Sequence, residues 1–468
     1  MNTMKSLKYW KRYERDGLAI FIDPLKPDWF VADRKADALL SGVTGATDRN
    51  RHELARSRLF SFVDRAPADA YRGRQDALKL SSLKECWFHL TNSCNLACSH
   101  CLFSASPAAR QSLDHTDLAR GIKEARALGC TIFYFTGGEP FVYPQFTSIL
   151  ASLLEDREVH AVVLTNGLLL HEQGDLFDRL PLERLHLQIS LDGLENSHDA
   201  LRGKGTFARL GSTLALLRCK EIYPTLSVAV NRGNVGDLSA IITFARDKGI
   251  RNMHLLWHFV RGKGSRDQFV SAGEIWAHVR PALELAERTG MTVDNVEALK
   301  SQVFASPGTR HDLSNSGWES IAVGPDGNIY PSPALVGLEE LRCGFLGQGL
   351  ARVWRESPVL KKLRQATLAG SDYEENALAF LVGGGDIDHS YLSGGAFTGH
   401  DPYVELYNEM VLWLIARQAR RYPTGPEGEI LLKMGDVRYD CPDGGSEVSL
   451  THCNCVVSLG DDRGHAAV

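Results

Sequence analysis

No stretch of this sequence is apolar for long enough to cross a bilayer. The longest runs, such as Val411 to Ala416, are a fraction of the ~20 residues a spanning helix needs. Charge of one sign is not in excess either. Lys and Arg number 52 against 57 Asp and Glu, a net charge of −5, so no global basic field invites nucleic acid or anionic lipid. Low-complexity tracts and repeats of fixed period are absent, and a composition of 44% hydrophobic and 23% charged residues excludes wholesale disorder and fibrous architectures. The basic start, MNTMKSLKYWKRYERDG, is not followed by the apolar core of a signal peptide, so the expectation is a cytoplasmic protein without nucleic-acid or membrane partners. A chain of 468 residues is too long for one core and predicts about three domains.

What the chain does have is cysteine. There are ten, too many for chance packing and in too long a chain for a small disulfide scaffold. Six fall in two tight groups, Cys94, Cys98, Cys101 and Cys441, Cys453, Cys455, which points to metal. Cys86, Cys130 and Cys219 stand alone on apolar elements and read as core residues.

Residues 1–84 read as a small separate unit with a strand-like FIDPLKPDWF (Phe21–Phe30) and a helical ADRKADALLSGV (Ala32–Val43). From Cys86 to about Thr289 strand and helix alternate six times. The predicted strands are Trp87–Leu90, Ile132–Thr136, Val159–Thr165, His186–Leu191, Thr225–Val230 and Asn252–Phe259. Apolar patterns of helical period lie between them, at Leu118–Leu128, Phe146–Leu154, Glu172–Leu180, Phe207–Arg218 and Leu238–Lys248. Such alternation predicts a parallel α/β sheet, and six units of ~33 residues suit a partial (β/α)6 barrel with its active site at the carboxyl ends of the strands. Beyond residue 290 the alternation stops. Gly-rich loops, one amphipathic helix (Val404–Arg421) and a cysteine-bearing tail of short strands follow.

The strand ends carry the chemistry. After the first strand, TNSCNLACSHC spaces three thiols as Cys94-x3-Cys98-x2-Cys101, which can wrap one side of an iron–sulfur cube and leave one iron open. Zinc, with His100 or a distant cysteine as fourth ligand, would use the same residues. The second strand ends in FYFTGGEPF, where Gly137 and Gly138 permit close backbone approach and Glu139 sets a carboxylate at the barrel mouth. The fourth ends in SLDG, offering the Ser190 hydroxyl and the Asp192 carboxylate; tight turns use the same residues.

Taken together, CxxxCxxC, then GGEP about 36 residues on, then SxDG after the fourth strand resemble the radical S-adenosylmethionine (SAM) enzymes. The resemblance covers about residues 86–290. It implies a [4Fe–4S] cluster on Cys94, Cys98 and Cys101 with SAM chelating its open iron. Gly137, Gly138 and Glu139 would meet the methionyl amino group, Ser190 and Asp192 the ribose, and Asn231 and Arg261 would be further SAM contacts. His100 stands where the family usually has an aromatic residue near adenine.

HDALRGKGTF (His198–Phe207) and GPDGNIYPSP (Gly324–Pro333) resemble the subgroup with a C-terminal SPASM or twitch extension, which carries extra clusters. Ser332 occupies the place of a usual cysteine there. The remaining thiols, Cys343, Cys441, Cys453 and Cys455, suffice for one auxiliary [4Fe–4S] cluster and no more; zinc and substrate-handling thiols are the competing readings. In GGGDIDHSYLSGGAFTGHDPY, Asp386 and His389 are the candidate catalytic acid–base groups.

The resemblance extends to the whole architecture: residues 1–84 as a winged-helix-like leader-recognition domain, 85–290 as the radical SAM barrel, 291–468 as a SPASM/twitch-like cluster domain. It implies a maturase that abstracts hydrogen from a residue of a ribosomally made precursor peptide and receives its electron from a ferredoxin or flavodoxin. Alternatives are a protein-residue maturase of the sulfatase-maturing kind, a small-metabolite enzyme, a non-catalytic iron–sulfur or zinc sensor, and a barrel hydrolase using Glu139 and Asp192.

Overall fold

The computed structural model describes residues 10–25, 27–32, 37–38, 71–305, 308–373 and 375–420, and beyond these the backbone of four strands between residues 429 and 458. Six strands fall where the alternation places them: β4 (Glu85–His89), β5 (Ile132–Thr136), β6 (His160–Thr165), β7 (Leu185–Ser190), β8 (Thr225–Val230) and β9 (Asn252–Trp257). They pair in parallel, in sequence order. The partial barrel expected from the alternation is therefore present as a parallel sheet with helices outside.

A parallel sheet covered on both faces would be buried at every residue. Here burial alternates instead. Ala161 and Val163 of β6 and Cys86 and Phe88 of β4 point into the core, whereas Val162, Leu164 and Trp87 on the other face are only half-buried. On that other face Trp87 and Tyr134 stack at 3.8 Å.

The sheet does not end at residue 290. β10 (Thr292–Val293) pairs with β9, while β11 (Ser320–Val323) pairs in parallel with β4 and leads to an antiparallel hairpin of β12 (Asn328–Tyr330) and β13 (Gly344–Phe345). Ten strands thus form one sheet, with β4 and the cysteine loop that follows it in its interior.

A second sheet is built from both ends of the chain. β1 (Lys11–Arg15) and β2 (Leu18–Asp23) form a hairpin across Asp16-Gly17, both at positive φ as a two-residue primed turn requires. β3 (Asp28–Ala32) follows, then β14 (Glu429–Met434) and β17 (Asn454–Ser458) close the order β1-β2-β3-β14-β17. β15 (Val437–Tyr439) and β16 (Val448–Leu450) form a separate ribbon. The segment Phe21–Phe30 is two strands rather than one, because Pro24 and Pro27 break the ladder between them. The expected helix Ala32–Val43 lies mostly outside the described residues.

The helix Val404–Arg420 differs from a simple amphipathic one: Met410 to Ala416 are buried without interruption, whereas Glu405 and Arg420 near its ends are exposed. It lies between the barrel helices Ala272–Thr289 and Asp294–Val303 and the strands β1–β3, which cover its central turns. Glu172–Leu180 is likewise not one helix but a 3-10 turn (Leu170–Gln173) and a single α-turn (Gly174–Phe177). Among the described residues no helix is long and apolar enough to cross a membrane.

Candidate functional site

The loop after β4 is pinned against the turn after β5. The amide of Gly138 donates to the Thr91 carbonyl at 2.6 Å and that of Glu139 to the Ser93 carbonyl at 3.0 Å. A Cβ on Gly137, whose φ is +134°, would come within 2.5 Å of the Thr91 oxygen, and one on Gly138 would overlap the Ser93 carbonyl. The two glycines are therefore required by the protein's own backbone: they let the GGEP turn press onto the cysteine loop.

That loop gathers its three thiols with donors directed at sulfur. The Leu96 amide points at Cys94 Sγ (3.4 Å), the Ala105 amide at Cys101 Sγ (3.3 Å), and Asn166 Nδ2 reaches Cys94 Sγ at 3.9 Å. Burial pushes the Cys94 thiol up to about 11, and the proximity of Cys98 and Cys101 adds to this. Burial raises Cys98 as well, opposed by the nearby Arg202 guanidinium. Among the described residues no group of three metal-ligating side chains is drawn together as around a single metal ion, but the three thiols act on one another and two already accept backbone N–H groups, which fits the wider grip of an iron–sulfur cluster. His100 turns its Nε2 to Asp192 Oδ2 at 2.9 Å, and its Nδ1 is buried without a hydrogen-bond partner.

Glu139 is fully buried behind the same turn. Its oxygens accept from Thr165 Oγ1 (2.8 Å), the Asn166 amide (2.9 Å) and the Phe141 amide (3.2 Å). Burial outweighs these donors and lifts its carboxyl to about 7. Ser190 stands half-buried at the end of β7. Asp192, two residues on, is fully buried and ionised: Arg202 and His100 hold its carboxyl well below the usual range against the opposing cost of burial.

Asn231 and Arg261 both make contacts within the protein. Asn231 closes its own turn, donating to Ala229 O (2.9 Å) and accepting from the Gly233 amide (2.8 Å). Arg261 donates to the carbonyls of Ala334 and Val336 and lies 5.7 Å above the Phe103 ring. It thus ties the loop after β9 to the extension, and the same loop packs against the cysteine loop, with Lys263 N donating to Cys101 O at 2.9 Å. A cavity of about 250 Å³ opens beside it, lined by His89, Asn92, Phe103, Gln111, Arg261 and Asp326 among others.

The glycine-rich segment is brought to the barrel mouth as well. His389 stacks on Phe259 at 3.8 Å, and Tyr403 OH donates to His258 O at 2.9 Å. Both expected acid–base residues lie in this segment. Asp386 caps the helix Ile387–Gly394, accepting from the amides of Asp388 (2.7 Å) and His389 (3.0 Å). Burial lowers His389 to about 4, leaving it neutral. The neighbours Asp388 and Asp401 are more perturbed. Asp388 is driven far above the carboxylate range by burial and by Asp386, and Asp401 rises to about 7 on burial. Asp401 stands among the polar residues that the sequence of this segment offers for proton transfer; Asp388 was missed, and only the burial of the segment could have signalled it.

Of the expected auxiliary set, only Cys343 has a described side chain. Its thiol is buried in the main core and donates to Leu341 O at 3.5 Å. Ser332, in the place of the usual cysteine, hydrogen-bonds to the buried Asp388. Cys455 lies on β17, in the other sheet, and Cys441 and Cys453 lie outside the described residues.

Residues 88–238 match the model of the Radical SAM superfamily. The chain is 27% identical over 283 residues to the antilisterial bacteriocin subtilosin biosynthesis protein AlbA of Bacillus subtilis (strain 168), a match covering 60% of this chain and 61% of that protein. It is 27% identical over 292 residues to the PqqA peptide cyclase of Ruegeria pomeroyi, covering 59% and 74%. The chain thus spans about three fifths of the first relative's length. Among solved structures, anSMEcpe with bound AdoMet and Kp18Cys peptide superposes with a TM-score of 0.61 at 16% identity, over 73% of this chain and 99% of that one. Streptococcus suis SuiB bound to precursor peptide SuiA gives 0.56 at 13%, over 86% and 99%. The fold is shared with both.

Proposed function

With residues 88–238 forming a radical SAM domain, we propose that the chain is a peptide maturase that abstracts hydrogen from a residue of a ribosomally made precursor, giving a cross-link, thioether, ring or epimer. The observation that carries this reading is the cysteine loop, locked under the GGEP turn with backbone amides aimed at Cys94 and Cys101. A four-iron cluster with SAM on its open iron supplies, on one-electron reduction, a 5′-deoxyadenosyl radical that takes hydrogen from a C–H bond.

The chain's own residues then have distinct tasks. Cys94, Cys98 and Cys101 are the ligands. The turn Gly137–Glu139 meets the methionyl end of SAM, and Ser190 offers its hydroxyl to the ribose from the end of β7. The half-buried face of the sheet, on which Trp87 and Tyr134 stack, receives the substrate and shields it from water. β1 and β17 are the edges of the second sheet, and a leader peptide adds there as a further strand. The relatives' names support a peptide substrate: a bacteriocin biosynthesis protein and a peptide cyclase. The electron comes from a ferredoxin or flavodoxin in the cytoplasm. The auxiliary cluster finds no support at Cys343 or Ser332, and the reaction as proposed does not pass through it.

The test is anaerobic. Protein reconstituted with iron and sulfide and reduced with dithionite should convert SAM to 5′-deoxyadenosine. Conversion that persists after Cys94, Cys98 and Cys101 are all replaced by Ala would overturn the reading.

A further inference from the structure

The motif HDALRG (His198–Gly203) is not used by the chemistry above, yet it wraps around Asp192. Asp192 Oδ2 accepts from Arg202 Nε at 2.6 Å and lies 2.9 Å from His100 Nε2, while Oδ1 accepts from the Ala229 amide at 2.8 Å. The Asp192 amide donates to His198 Nδ1 at 3.1 Å. Asp199 fixes the return of the chain, accepting from the amides of Gly205 (2.5 Å) and Phe207 (2.9 Å). The far end of the same helix meets the cysteine loop directly, with Ser99 N donating to Leu201 O at 2.9 Å.

We propose that Asp192 and Arg202 are positioning residues of the cysteine loop: Asp192 holds Arg202 and His100 beside Cys98 and Cys101, so that a fixed guanidinium faces the cluster, and the ribose is left to Ser190. This rests on the three-cysteine cluster of the preceding reading. The carboxylate is already matched to a guanidinium and an imidazole, and its three contacts lead to the helix Glu195–Arg202, to His100 in the cysteine loop and to β8. Arg202 is almost fully buried, with a side chain 12% exposed, and is attracted by Cys98 and Cys101 as well as by Asp192. Arginine is suited to this place because its charge survives burial.

The consequence is electrostatic. A cation beside the sulfurs favours the more negative, reduced cluster, and net charge near a cluster is a main determinant of its potential. Replacing Arg202 by Gln should therefore lower the reduced-to-oxidised ratio at a fixed poise about tenfold, which is ~59 mV for a one-electron couple. Arg202→Lys keeps the charge and should recover most of that shift. Asp192→Asn removes the anchor of Arg202 together with a negative charge that acts on Cys98, so its readout is SAM binding, and the affinity should change less than about threefold.

The experiment is a redox titration of reconstituted full-length protein by EPR, with iron content and SAM binding measured on each sample. Loss of the cluster from Arg202→Gln with retention in Arg202→Lys also supports the inference. Equal potentials in wild type, Arg202→Gln and Arg202→Lys would overturn it, as would a large loss of SAM affinity in Asp192→Asn at unchanged iron content. A wild-type protein that holds no cluster refutes the underlying reading instead, and iron content distinguishes the two failures.

Discussion

Two regions of the molecule carry cysteines at positions that imply iron, and they are built differently. Around Cys94, Cys98 and Cys101 the surroundings address the sulfur atoms: amides of Leu96 and Ala105 point at them, and Arg202 sits beside them. In the extension Cys343 donates to Leu341 O inside an apolar core, with Arg364 acting on its sulfur, and Ser332 is bonded to Asp388 where a thiolate would be expected. Spacing alone made both regions candidates. Backbone amides directed at sulfur distinguish the first, since a thiolate or a sulfide needs N–H groups turned toward it.

The largest test of this contrast is iron itself. The triple substitution of Cys94, Cys98 and Cys101 by Ala should remove about four irons per chain, one [4Fe–4S] cluster, and all SAM cleavage. Cys343→Ala should leave iron content unchanged, and a parallel loss of iron would erase the distinction between the regions.

Next in size is Gly138→Ala. Its Cβ would meet the Ser93 carbonyl, which is backbone and cannot swing away. We expect a cost of at least ~2 kcal/mol and a cluster that fails to form or is rapidly lost, read by thermal unfolding and iron content.

Smaller, and confined to the extension, is Asp388→Asn. It weakens the bond to Ser332 in a buried setting and should cost ~1–3 kcal/mol without changing iron content. A drop in iron would mean that this pair supports a cluster after all.

A pH slope, small per pH unit, treats the regions alike. Glu139 beside the cysteine loop and Asp401 in the extension are both raised to about 7. A raised carboxyl is neutral in the fold and ionised when unfolded, so the stability it contributes is full below the unfolded value near 4.5 and is lost as pH rises through 7. Relative to Glu139→Gln, wild-type protein should lose up to ~1.4 kcal/mol per pH unit across that window, measured by denaturant unfolding at several pH values. A flat difference would mean that Glu139 is already ionised.

Much of this was legible in the sequence, for physical reasons. The six barrel strands announce themselves because parallel strands are short apolar runs separated by helical periodicity; Ile132–Thr136 and Thr225–Val230 fall as expected to the residue. The N-terminal hairpin escaped notice although Asp16-Gly17 is a strong two-residue turn signal. The joining of β3 to β14 could not be read, because contacts across some 400 residues leave no local trace. At the site, cysteines and glycines were identifiable by spacing. What Asp192, Asn231 and Arg261 do depends on which groups the fold turns toward them, and no spacing encodes that.

The central claim is that Cys94, Cys98 and Cys101 hold a cluster whose open iron takes SAM. The most direct measurement is the EPR spectrum of the dithionite-reduced, reconstituted protein before and after SAM is added. The account predicts a reduced-cluster signal that SAM perturbs and that the triple cysteine variant lacks. A signal indifferent to SAM, or one that survives in the triple variant, would contradict it.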